Sequence, residues 1–111
     1  KSVLHITPDG RRKFDDWLIA PMGAEENLDT ALLRFAFLHD HPDRQVTLEF
    51  LTTFITVMAG RASGIRNWLA GEEAQAMPLQ ARLAVGHGLR SLEASAQWAS
   101  DAYEALKGEI S

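Results

Sequence analysis

The sequence predicts an all-α protein of about four helices, built on a long antiparallel helix hairpin and preceded by one β-strand. Three observations carry that prediction. Val85, Leu89, Leu92, Ala96, Ala99, Tyr103, Leu106 and Ile110 recur in alternating steps of four and three, which is a heptad seam. Phe14, Trp17 and Leu18 repeat the helical spacing near the N-terminus. Pro21, Pro42 and the turn from Gly71 to Met77 punctuate the stretches between.

Lys1 to Thr7 is short and rich in branched apolar residues (Val3, Leu4, Ile6), so it reads as a strand whose partner is elsewhere. Thr7 then suits a helix N-cap, Pro8 the first helical position, and Asp9 the positive end of the dipole. Pro21 closes this first helix near Ala20. A second helix runs from Asn27 or Leu28 to His39, with Leu28, Leu32, Phe35 and Ala36 on one face. Pro42 disfavours helix at His41 and ends it. The third spans Asp43 to Ala70. Thr47, Thr52, Thr53, Ile55, Thr56 and Val57 make its centre locally ambiguous, and length decides for helix. The fourth starts near Pro78 and reaches Leu106, with Gly108 as the stop.

The two long helices are expected to form a hairpin with its turn centred near residue 74 or 75. That register sets Gly60 and Gly64 opposite Leu89 and Val85, beside Gly86 and Gly88. Helix-interior glycine lowers helix propensity. Four of them at one crossing imply either a close backbone contact or a bend that shapes a cavity.

Composition narrows the function. The 111 residues amount to one domain, and 46% apolar with 23% charged is globular usage. A net charge of −4 lacks the basic footprint of an autonomous nucleic-acid binder. The absence of cysteine removes disulfides, Cys-type zinc sites and thiol catalysis, and fits a cytoplasmic protein. The longest uncharged run, Phe50 to Gly60, falls far short of the roughly 20 residues that span a bilayer, so no membrane association is expected. The N-terminus lacks the charged-then-apolar layout of a signal peptide. A start at Lys1, inside a strand and without Met, reads as a piece of a longer protein.

Catalytic motifs are lacking: no G-x-S-x-G elbow, H-E-x-x-H or Walker-type loop occurs. Glu25-Glu26 and Glu72-Glu73 read as solvated charge rather than acid/base machinery. The expectation is a non-enzyme without a cofactor. His39, Asp40, His41 and Asp43 carry metal-capable atoms, but paired histidines in a turn are better read as caps or solvent-facing groups than as a metal site. His87, between two glycines, reads either as a ligand contact or as a half-buried histidine at a helix crossing.

Leu4-His5-Ile6-Thr7-Pro8-Asp9-Gly10-Arg11, followed by Phe14, Trp17 and Leu18, resembles the wing-to-helix junction of PadR-like bacterial transcriptional regulators. Leu4 stands where that family often has Tyr. Ala84 to Leu89 (AVGHGL) through Trp98 is similar to the family's C-terminal helix, where a Gly-containing segment precedes a Trp. Residues 22–77 match in helix layout more than in letters. The resemblance implies the end of a winged helix-turn-helix in residues 1–20 and a helical C-terminal domain in residues 21–111. It further implies a homodimer joined through the seam of Val85, Leu89, Leu92, Ala96, Ala99, Tyr103 and Leu106. Operator DNA would be read by an N-terminal head that this chain does not include.

Lys1, Arg11, Arg12 and Lys13 form the basic cluster beside that junction, and read either as phosphate contacts or as a solvated helix face. Some relatives bind aromatic small molecules, which makes Phe35, Trp98 and Tyr103 candidates for an effector pocket, against a plain core reading. Two rivals to the regulator stay open: a stand-alone helical interaction module and a small-molecule-binding sensor.

Overall fold

The computed structural model describes residues 7–20, 22 and 26–110. Among them lie α1 (Pro8–Ile19), α2 (Leu28–Phe37), a 3-10 turn (Leu38–Asp40), α3 (Arg44–Leu69), α4 (Glu72–Gln75) and α5 (Leu79–Ile110). The strand expected at the N-terminus falls, Thr7 apart, outside the described residues, and no strand occurs among those described.

Local chemistry places the helix starts. Thr7 Oγ1 accepts the Gly10 N–H at 2.9 Å, with Pro8 at the first position of α1. Asn27 Oδ1 accepts the Asp29 N–H at 2.8 Å to open α2. Asp43 Oδ1 accepts the Gln45 N–H at 3.0 Å ahead of α3. Two boundaries differ from expectation. The segment after Gly71 forms the short α4 instead of an open turn, and α5 runs through Gly108 to Ile110. Gly108 is therefore a helical residue; a lone glycine lowers helix propensity without forcing a stop.

The chain divides into two compact units between Phe50 and Leu51, inside α3. In the first unit, α1, α2 and the first turns of α3 bury Leu18, Ala31, Leu38, Leu48 and Phe50. The inward face of α2 is Ala31 and Arg34, continued by Leu38, rather than the Leu28, Leu32, Phe35 and Ala36 expected from hydrophobicity. The reason is Arg34, only 2% exposed. Its guanidinium donates to Glu26 Oε1 at 2.6 Å and to the Ala20 carbonyl, and lies over the rings of Phe50 (5.2 Å) and Trp17 (5.9 Å). Turning this residue inward leaves Leu32 and Leu33 exposed.

In the second unit, Leu51, Phe54, Met58 and Ala62 of α3 follow helical spacing and are buried, as are Ala74 and Ala99. α3 and α5 run antiparallel: Phe54 meets Trp98 (ring centroids 5.8 Å apart), while Arg66, further along α3, pairs with the earlier Glu93 at 2.7 Å. The hairpin is as expected in kind, and the Phe54–Trp98 contact lies within a turn of the register set by a turn at residue 74 or 75. The pairing departs from that register at the loop end, where Arg66 reaches Glu93, about ten residues beyond the position expected opposite it. Helix α4, with Ala74 fully buried, takes up chain that a simple turn would have left free for pairing. A Cβ on Gly60, Gly64, Gly86 or Gly88 would meet nothing within 4 Å, so they mark no close backbone crossing among the described residues.

Candidate functional site

A cavity of about 450 Å³ opens in the first unit, where α1 faces the end of α2 and the 3-10 turn. Phe14, Leu18, Ile19, Phe37 and Pro42 supply its apolar lining. Phe14 stands edge-on to Phe37 at 5.4 Å, with the rings at 84°, and Phe14 also touches Trp17 at 5.6 Å. Phe37 is 47% exposed and Ile19 54% exposed, so the walls present apolar surface to solvent. Arg11, Asp15, Asp16, Asp40 and His41 complete the lining.

The polar residues of this rim have distinct local ties. Arg11 Nε donates to Asp15 Oδ1 at 3.3 Å, one helical turn away. Asp40 Oδ1 lies 2.8 Å from His39 Nδ1, and both side chains are well exposed. His41 Nδ1 accepts the Asp43 N–H at 3.0 Å. Thus the His39 to Asp43 segment works as a turn that ends α2 and caps α3. No group of three or more metal-capable side chains converges among the described residues.

The basic cluster is compensated locally. Arg12 pairs with Asp9 and Arg11 with Asp15, on exposed side chains, while Lys13 is exposed and Lys1 lies outside the described residues. These intrahelical carboxylates offset two of the three cations in the first turns of α1. The aromatic candidates for an effector pocket divide between the units. Phe35 stacks on Phe50 in the first unit at 6.4 Å. Trp98 packs on Phe54 in the second, and Tyr103 lies beneath Lys107, whose Nζ is 5.9 Å from the ring centroid. Phe14 and Phe37 form the aromatic lining of the first-unit cavity instead. Helical spacing placed Phe14 in the first helix, and nothing local joins it to a ring 23 positions further along.

In the second unit, an open apolar groove of about 440 Å³ runs between α3 and α5, lined by Gly60, Gly64, Ile65, Trp68 and Leu92 beside Arg61. Of the four glycines, Gly60 and Gly64 line this groove, while Gly86 and Gly88 are not among its lining residues. His87 is exposed on α5, not half-buried at a crossing. Among the described side chains of the α5 seam only Ala99 is fully buried; Val85, Leu89, Leu92, Ala96, Tyr103 and Leu106 are partly covered. Leu79 and Leu83, on the opposite side of α5 by helical phase, are 59% and 63% exposed.

Comparison with protein-family models, with curated proteins and with solved structures yields no match. Among the described residues, no helix is long and apolar enough to cross a membrane.

Proposed function

We propose that this chain is the helical, self-associating part of a PadR-like transcriptional regulator, and that α5 is the surface through which two copies join. The supporting observation is the seam: a 32-residue helix repeats apolar residues in heptad order, and among its described members one chain fully buries Ala99 and covers Val85, Leu89, Leu92, Ala96, Tyr103 and Leu106 only in part. Apolar surface left open along one stripe of a long helix gains free energy when a second helix covers it, about 25 cal/mol for each Å² removed from water. The small Ala96 and Ala99 permit close approach there. In the regulator, this pairing fixes the distance between two DNA-reading heads, so a change in helix packing changes operator affinity.

Analytical ultracentrifugation at micromolar concentration tests the association, with a dimer mass expected. Replacing Leu89 and Leu92 together by Glu is expected to give a monomer with an unchanged far-ultraviolet circular dichroism spectrum. Leu83→Glu, on the other side of α5, is expected to leave the dimer intact. A monomer throughout, or a dimer disrupted by Leu83→Glu and not by the seam variant, overturns the proposal. The regulatory half is tested in the gene: a helix-turn-helix pattern immediately before Lys1 supports it, and any other preceding sequence refutes it.

A further inference from the structure

We infer that the groove between α1 and the end of α2 docks a basic amphipathic helix of a partner protein, one with leucine-like side chains on one face and lysine or arginine beside them. This inference does not rest on the dimerisation reading, because every residue it uses lies in the first unit.

The floor gives the apolar face of the partner. Ile19, Leu33 and Phe37 are each half-exposed. Isolated apolar residues on a surface need no explanation, but these three adjoin. Ile19 and Phe37 line one groove with Phe14, Leu18 and Pro42. Leu33 stands one turn before Phe37 on the same face of α2, so it carries the apolar surface beyond the groove. A strip that runs out of the concavity along α2 suits an elongated partner rather than a compact molecule.

The flanks give its charge. Asp15, Asp16 and Asp40 border the floor against one guanidinium, that of Arg11, which already rests on Asp15. The surroundings of the apolar strip are therefore net negative. A partner carrying lysine or arginine beside its own apolar face complements both features. The same sign disfavours other large partners. Nucleic acid and anionic lipid bring negative charge of their own. A second copy joined by a two-fold axis would set these aspartates against themselves, because such an interface uses the same patch on both sides.

The elements around the strip select a helix. An extended peptide joins a protein along a sheet edge, and no strand occurs among the described residues. Two helices with an apolar floor between them form instead the kind of groove that receives a third. From Arg11 to Ile19, α1 offers about 12 Å of length, so roughly two to three turns of partner helix fill the site. Leu33 and Phe37 are the apolar surface the partner covers, and Asp16 and Asp40 receive its cations.

The probe is a dye-labelled peptide of about 14 residues, roughly four helical turns, with leucine on one face and lysine on the other. Fluorescence anisotropy measures its affinity for the chain, and backbone amide resonances followed by NMR locate it. Saturable binding is expected, with shifts confined to residues 11–19 and 33–42. A leucine–glutamate peptide of the same pattern and a leucine–lysine peptide in scrambled order are each expected to bind at least about tenfold more weakly. Asp16→Lys combined with Asp40→Lys should reverse the preference, so that the glutamate peptide binds the more tightly. Phe37→Ala should weaken the lysine peptide about tenfold and Leu33→Ala about threefold. Asp16, Leu33 and Asp40 are exposed, so their variants should keep the wild-type melting temperature, which separates lost binding from lost folding. No saturable binding, a scrambled peptide within about twofold of the ordered one, or an unreversed preference in the charge-reversed variant each overturns the site. Shifts centred on residues 60–68 or 85–106 overturn it by placing the peptide in the second unit. Shifts of residues 11–19 and 33–42 on concentrating the chain alone also overturn it, by assigning the surface to a second copy.

Discussion

Arg34 is buried as deeply as the leucines around it, and this reverses what a charged residue in the middle of a helix ordinarily does. Its cost is offset because the guanidinium meets a carboxylate, a backbone carbonyl and two ring faces at once. Arg34→Met removes the cation beside Glu26, whose side chain is only 14% exposed, and is expected to destabilise the chain by about 3–5 kcal/mol. Arg34→Lys should recover little of that loss, since an ammonium cannot span both acceptors while lying flat over the rings. Urea unfolding followed by circular dichroism measures both, and an Arg34→Lys variant as stable as the wild type would refute the account. The exposed arginines of α1 differ in scale: pairs such as Arg11 with Asp15 contribute under about 1 kcal/mol each.

Among the elements, α3 and α5 carry glycines that their surroundings do not require. Open space surrounds the positions where Cβ atoms would sit on Gly60, Gly64, Gly86 and Gly88. Each glycine to alanine change is therefore expected to stabilise the chain by about 1 kcal/mol, partly by restricting the unfolded backbone. Thermal or urea unfolding of Gly64→Ala and Gly86→Ala checks this, and a loss of stability in either would mean that a close neighbour needs the bare backbone. The α3–α5 register rests on apolar contacts instead. Phe54 and Met58 are fully buried and Ala99 answers them on α5, while the Arg66–Glu93 pair is about half-exposed and correspondingly weak. The seam itself was legible from letters alone because a heptad repeat is a local regularity. The register at Phe54 and Trp98 was legible to within a turn, whereas the offset of Arg66 to Glu93 was not, since it depends on how much chain α4 consumes between the helices.

For the molecule as a whole, the proposed association through α5 would tie stability to concentration. The apparent melting temperature is expected to rise by about 3–5 °C for each tenfold increase in protein, as mass action favours the folded dimer. Differential scanning calorimetry across two decades of concentration measures it. A midpoint independent of concentration would mean that the open seam of one chain is not covered by another.

The sequence by itself determined the helical class, the order of the long helices and most of their ends. Thr7 with Pro8, Asn27, and Pro42 act within a few residues of where they stand, through caps and steric restriction, so their effect is readable without the fold. The apolar repeat of α5 is equally local. Only the tertiary structure decided which face of α2 turns inward, which residue of α5 Arg66 meets, and that Phe14 and Phe37 line one cavity with three aspartates. Those outcomes depend on partners far apart in the chain: Arg34 needs Ala20, Glu26 and Phe50 together, and Phe14 needs Phe37. Hydrophobic periodicity ranks faces by transfer from water and cannot foresee that a guanidinium with enough partners will displace a leucine from the core.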